Sequence, residues 1–261
     1  MELFDLRDLT FTYPGEAAPA LRELCFSVWP GEFVLLLGPS GCGKSTLLRQ
    51  LKTALAPHGD RAGRILYRGT PLDELDLRTQ TAKIGFVQQN PDNQIVTDKV
   101  WHELAFGLES LGFDSGTIRG RVAEMASFFG IEGWFHQSVA ELSGGQKQLL
   151  NLAAIMVLQP DVLILDEPTS QLDPIAAADF LATLGRINRE LGTTVLLTEH
   201  RLEDVFPLSS RVLLLDGGRL LFDGMPEPAF LALKKQNHPM LRAMPAPCGS
   251  GPRWKATCPA P

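Results

Sequence analysis

The sequence is poor in the residues that mark several common functional classes. Four cysteines in 261 residues, Cys25, Cys42, Cys248 and Cys258, are too few and too scattered for a disulfide framework or a zinc site. Thiols left free in this way fit a reducing compartment. The five histidines are dispersed and offer no metal-ligating cluster. Basic charge is also short: the formal net charge of −6 and pI of about 5.4 have the wrong sign for a nucleic-acid face. No apolar run reaches the roughly 18 residues that read as a membrane span. The longest, Leu149 to Leu158, is broken by Asn151 and stopped by Pro160. Met1-Glu2-Leu3-Phe4-Asp5 places acids where a secretory leader would carry basic charge, so no signal peptide is expected. What remains is 44% hydrophobic residues, enough for a sizeable core in one domain or two subdomains.

The chain is organised around Gly38-Pro39-Ser40-Gly41-Cys42-Gly43-Lys44-Ser45-Thr46. The apolar run Phe33 to Leu37 before it predicts a buried strand, and Thr46 to Leu51 after it predicts the first turns of a helix. This is G-x-x-x-x-G-K-[ST] in the strand–loop–helix context that gives the pattern its meaning. Glycines let backbone N–H groups turn inward as a nest for phosphate oxygens, and the helix adds its positive end. Lys44 can then reach the β- and γ-phosphates and the Ser45 hydroxyl can ligate Mg²⁺. A nucleoside triphosphate is the implied ligand. Cys42 lies inside the loop, so alkylation of its thiol is expected to block the phosphates, whereas Cys25 is expected in the core.

Along the chain, strands are predicted at Leu3 to Tyr13, Leu24 to Val28, Gly63 to Gly69, Ile84 to Val87, Val162 to Leu165, Thr193 to Thr198, and as a hairpin at Arg211 to Leu215 and Arg219 to Phe222. Helices are predicted at Val100 to Leu111 and through Ile118, Val122, Met125 and Phe129, capped by Asp114 or Ser115. Two more are predicted at Leu149 to Leu158 and after Asp173-Pro174, the last burying Phe180, Leu184, Ile187 and Leu191. Trp101, Phe106, Phe128 and Phe129 are expected in the core. Strands alternating with helices imply an α/β fold with a mainly parallel sheet. An antiparallel β-subdomain lies beside that phosphate-binding core, and a helical subdomain covers about residues 97–158. The first 235 residues read as this one domain. From Pro239 to Pro261 six of 23 residues are proline, so 236–261 read as a disordered tail or interdomain linker.

Asp166 and Glu167 end an apolar strand, which places two carboxylates at the sheet edge near the phosphate loop. Asp166 can hold a water of the Mg²⁺ shell and Glu167 can polarise an attacking water. Leu142-Ser143-Gly144-Gly145-Gln146 opens an apolar helix, and Ser143 with the N–H groups of that helix start makes a second anion site. A chain with its own phosphate loop has an economical use for a second one: a head-to-tail dimer in which each signature closes on the partner's nucleotide.

With these motifs in this order, residues 1 to about 230 resemble an ATP-binding cassette (ABC) ATPase. The resemblance implies that Tyr13, otherwise a strand-end aromatic, stacks on adenine. It implies that Gln89 senses Mg²⁺ and the attacking water, Gln88 being one residue away. His200 would contact the γ-phosphate, and Ser170-Gln171-Leu172-Asp173 would cross the dimer interface. The stretch Gln89-Asn90-Pro91-Asp92-Asn93-Gln94 followed by Glu103-Leu104-Ala105-Phe106-Gly107 resembles the ATPases of energy-coupling factor (ECF) transporters, prokaryotic importers of vitamins or transition-metal ions. Their partners are a second ABC ATPase domain (copy, paralogue or tandem half), a transmembrane coupling subunit and a substrate-binding membrane subunit, which would put the chain on the cytoplasmic face of the cell membrane. Leu149 departs from the usual Arg after the signature, and Gln171 from the usual small residue of the interface loop. The rival implied by the same family is a soluble ABC protein acting on ribosomes or DNA, or another importer class; the acidic charge and the lack of a coiled-coil insertion speak against the first. ATP with Mg²⁺ is the expected substrate and cofactor pair, and no nucleic acid is expected.

Overall fold

The computed structural model describes residues 1–235 and Met240. The expected proline-rich tail, 236–261, therefore lies outside the described residues but for Met240. Strands β1 (Phe4–Thr12), β2 (Leu21–Val28), β4 (Asp60–Tyr67) and β5 (Thr70–Pro71) form an antiparallel sheet in the order β2-β1-β4-β5. A second sheet contains β3 (Phe33–Leu37), β6 (Ile84–Val87), β7 (Val162–Asp166), β8 (Thr194–Thr198), β9 (Arg211–Asp216) and β10 (Arg219–Gly224). Its order is β10-β9-β3-β8-β7-β6, parallel throughout except for the β9–β10 hairpin. Gly217 and Gly218 both have positive φ (52° and 78°), the backbone a two-residue hairpin turn requires.

The central strands read as continuous apolar runs because both faces are covered. Phe33, Leu35 and Leu37 of β3 join a core with Leu163, Leu165, Val195 and Leu197. Val34 and Leu36 join the opposite core with Ile164, Leu196, Phe4 and Leu6 from the antiparallel sheet. Each fully buried Leu or Phe contributes about 2 kcal/mol from apolar burial alone, so a charge anywhere in β3 would be disruptive.

Eight α-helices surround the sheets among the described residues: α1 (Lys44–Gln50), α2 (Leu77–Lys83), α3 (Val100–Ser110), α4 (Ser115–Phe129), α5 (Gly144–Met156), α6 (Pro174–Leu191), α7 (Leu202–Val205) and α8 (Pro226–Lys235). Asp114, not Ser115, caps α4: its carboxylate accepts from the Gly116 and Thr117 amides, and Gly130 ends the helix at φ 66°. Asp173 caps α6 in the same way, with Pro174 in the first turn and Gly192 at the end.

Four expectations fail here. Trp101 and Phe106 are not core residues; the buried stripe of α3 runs through Val100, Leu104 and Leu108, and both aromatics fall off it, 42% and 38% exposed. Phe128 does pack against the core though only partly buried, and Phe129 is buried in it. Leu191, the last residue of α6, is exposed. Cys25 is exposed too, its thiol hydrogen-bonded to the Asp8 carboxylate.

Candidate active site

The β3 register sets the site. Leu36 pairs with Thr198 and Leu37 with Leu214, so β3 and β8 finish at one level, and Asp166, the last residue of β7, pairs with Thr198 as well. Functional side chains emerging from these strand ends share the carboxyl edge of the sheet, where ligands of open α/β sheets bind.

Residues 38–43 turn between β3 and α1. Gly38, Gly41 and Gly43 have φ of 153°, 78° and 105°. A Cβ on Gly38 would run into the Leu215 carbonyl oxygen, and one on Gly43 would lie 2.7 Å from that of Ala20. No side chain caps α1. Lys44 is 9% exposed, and its Nζ donates to the carbonyls of Gly38 (2.8 Å) and Pro39 (3.0 Å). Cys42 turns the other way: its side chain is buried in the core shared with the antiparallel sheet. Burial lifts the thiol pKa, with the Lys44 charge partly opposing. The thiol is therefore not presented to solvent, which disfavours the expected alkylation of Cys42.

A cavity of about 490 Å³ lies over this loop, lined by Ser40, Gly41 and residues 43–46 together with Tyr13 and Glu167. The Tyr13 hydroxyl shares a 2.9 Å hydrogen bond with that of Thr46, and its ring packs edge-on against Phe11. The Ser45 hydroxyl donates to Asp166 Oδ1 at 3.0 Å, as does Thr198 Oγ1. A hydroxyl beside a carboxylate is a hard-oxygen pair of the kind Mg²⁺ takes alongside substrate phosphates, so the residues present fit that ion. Gln89 is exposed just past β6.

Glu167 carries the strained backbone of the site, a φ of 49° outside glycine. Its amide donates to the Thr198 carbonyl (3.1 Å) and hydroxyl (3.0 Å), which holds that conformation. Its carboxylate lies 2.8 Å from His200 Nε2. Thr198 was not singled out by the sequence; a β-branched residue ending a strand carries no signal of its own.

The signature lies elsewhere. Leu142 is buried, and Ser143 caps α5 in a reciprocal box: its hydroxyl accepts from the Gln146 amide at 3.3 Å, and Gln146 Oε1 accepts from the Ser143 amide at 2.9 Å. Ser143 and Gly144 are exposed, Gly145 and Gln146 half-buried, and none of them lines the phosphate-loop cavity. A polar chain unread from the sequence runs beneath. Gln94 Oε1 accepts from the Gln88 amide (2.7 Å) and Asn151 Nδ2 (3.1 Å), while buried Gln148 donates to the carbonyls of Pro168 (2.9 Å) and Gln88 (3.3 Å). Lys147 pairs with Asp92 at 2.7 Å. Leu149 is half-buried against the core. In the loop before α6, Ser170 and Gln171 are exposed and Leu172 is buried.

Beyond the Gln94 segment, the buried Glu103 carboxylate accepts from the Val96 and Thr97 amides (3.0 and 2.8 Å). Above it a groove of about 320 Å³ opens between α3 and α4, with Trp101, Ala105, Ile118, Val122 and Phe135 in its walls and Glu109 and Arg119 among its polar residues.

A parallel sheet with a glycine-rich phosphate loop after one strand and paired carboxylates after another, one strand between them, defines a phosphate-loop ATPase domain. The chain belongs to the ABC transporter family, whose model matches residues 21–170. A Bacillus cereus protein provisionally named an ABC transporter ATP-binding protein is 51% identical over 223 residues, 85% of this chain and 40% of that one. A Methanosarcina acetivorans protein named in the same way is 39% identical over 231 residues, 87% of this chain and 36% of its own length. The chain thus spans about two fifths of these relatives. Among solved structures, cbiO1 from Clostridium perfringens, part of the ABC transporter complex cbiONQ, superposes with a TM-score of 0.80 at 30% identity, covering 92% of this chain and 96% of that one. The mainly parallel core and antiparallel sheet read from the sequence are the fold of that family.

Proposed function

We propose that the chain hydrolyses ATP to energise a membrane importer of the ECF type, taking up a vitamin or a transition-metal ion. One observation carries the hydrolytic reading: Glu167, paired with His200, is on the wall of the cavity that holds the phosphate loop. The loop amides and Lys44 would cradle the phosphates while the Tyr13 ring stacks on adenine. Ser45 and Asp166 would hold Mg²⁺, with Gln89 beside it; when bound, that ion neutralises charge on the phosphates. Glu167 takes a proton from water as its oxygen attacks the γ-phosphorus in line. The bond from phosphorus to the bridging oxygen breaks, and ADP leaves with its electron pair. His200 steadies the Glu167 carboxylate and contacts the γ-phosphate.

Ser143, exposed and away from the chain's own loop, would close the site of a second cassette in a head-to-tail pair, with Ser170 to Asp173 crossing between them. The groove beside Trp101 would seat a helix of the transmembrane coupling subunit on the cytoplasmic face, a proposal supported by its link through Glu103 and Gln94 to the Gln88–Gln89 segment. The cargo site would belong to another membrane subunit. The likeness to cbiO1 supports an ECF-type importer. Trp101→Glu in the full-length protein, which charges the exposed wall of the groove, should abolish ATP-driven uptake by the reconstituted complex and leave basal ATP hydrolysis within about two-fold. Unchanged uptake would sink the coupling assignment.

A further inference from the structure

At the end of β8 four consecutive side chains reach the last residue of β7 and the segment that follows it. Thr198 Oγ1 donates to Asp166 Oδ1 at 3.0 Å, and His200 Nε2 lies 2.8 Å from Glu167 Oε1. Arg201 Nη2 touches the Leu172 carbonyl at 3.4 Å. Between them Glu199 divides its two oxygens: Oε1 accepts from the Thr169 amide (3.0 Å) and hydroxyl (2.7 Å), and Oε2 accepts from the His200 amide (3.1 Å). It is 6% exposed, and a carboxylate so buried is tolerated only where donors surround it. Three do, and they come from two loops.

We infer that Glu199 is a positioning residue that locks the loop 170–173, exposed but for buried Leu172, to His200 and so sets the His200–Glu167 pair. The inference deepens the proposed function and rests on ATP hydrolysis at the phosphate-loop cavity. Glu199 does not line the phosphate-loop cavity; it acts through its neighbours. Thr169 sits between Glu167 and the loop, so a shift of residues 170–173 is carried by Thr169 and Glu199 to the His200 amide. A second cassette pressing on that loop would thereby adjust the distance between the proton acceptor and its histidine. The chemistry needs a carboxylate. Glutamine offers one accepting oxygen where the site has donors on both sides, so it can hold Thr169 or His200 and not both.

The test uses Glu199→Gln, the near-isosteric Thr169→Val, and the double variant in the whole chain assayed with its partner cassette. Glu199→Gln should lower kcat about ten-fold with KM for ATP within two-fold. Thr169→Val should lower kcat about three-fold, and the double variant should be no slower than Glu199→Gln, because the two act through one contact. Amide hydrogen exchange should quicken together at 169–172 and 200–201 in Glu199→Gln and stay unchanged at 38–46. Wild-type kcat in both single variants, or quickened exchange on only one of the two loops, would overturn the inference. A wild-type chain that does not turn over ATP would defeat the hydrolytic reading instead, and the exchange pattern would then decide the Glu199 tie by itself.

Discussion

Glu167→Gln separates chemistry from binding at this site. The amide is nearly isosteric, and the backbone of residue 167 stays anchored through its own N–H to the Thr198 carbonyl and hydroxyl. Its Oε1 can still accept from His200 Nε2, so the 2.8 Å contact survives in neutral form. The groups that would hold nucleotide, Lys44, the loop amides, Ser45 and Tyr13, are untouched. Only proton acceptance is lost. Loss of a general base costs about 10²–10⁴ in rate, which at about 1.4 kcal/mol per decade is roughly 3–5 kcal/mol of barrier. The expected outcome is turnover at or below about 1% of wild type with ATP affinity within two-fold, measured by phosphate release and equilibrium nucleotide binding on the same preparation. The variant should also accumulate as an ATP-bound pair of cassettes in sedimentation. Turnover at the wild-type rate, or ATP affinity lost in step with turnover, would refute the assignment of Glu167 as the base.

Two further outcomes test other parts of the molecule. Mixing a Lys44→Ala chain with a Ser143→Arg chain should restore nucleotide trapping that each lacks alone if the chain pairs with its own kind, because one site of the mixed pair is then wholly intact; trapping by a strictly monomeric wild-type chain would defeat closure in trans. Lys52 donates to the Ile84 carbonyl at 2.7 Å, and burial pulls its pKa down to about 8. The folded-state pKa lies below the unfolded value near 10.4, so between about pH 8 and 10 the unfolded chain binds more protons and stability should rise with pH. The slope of unfolding free energy there should exceed that of Lys52→Met by about 1 kcal/mol per pH unit, measured by denaturant titration; equal slopes would reject the shift.

The parts of this site legible in the sequence are those whose chemistry is local. A phosphate loop is nine successive residues, and Asp166-Glu167 closes one apolar run; away from the site, Ser143 as the cap of one helix is legible in the same way. What stayed hidden depends on register between distant segments. Thr198 matters because β8 pairs with β7 at Asp166, and Gln148 because α5 packs across the carbonyls of Gln88 and Pro168. Neither follows from its neighbours in sequence. The α2 helix was invisible for another reason: Leu77-Arg78-Thr79-Gln80-Thr81-Ala82-Lys83 buries only Gln80 and has no apolar period to read. In α3 the difficulty is the reverse. Apolar residues lie on most of its faces, and only packing shows that Val100, Leu104 and Leu108 form the inner stripe while Trp101 and Phe106 look outward.

The left-handed backbone at Glu167 has a consequence for how this sequence can change. A non-glycine residue held at φ 49° costs of order 1 kcal/mol or more, and glycine or asparagine would relax that cost at once. Selection for stability alone would therefore drift away from glutamate at this position, and with Glu167 as the proposed base that drift would cost turnover. On the proposed role of Glu167 as the base, a firmer but inactive descendant of this chain would be one substitution away, and demand for the reaction would be what keeps glutamate at 167.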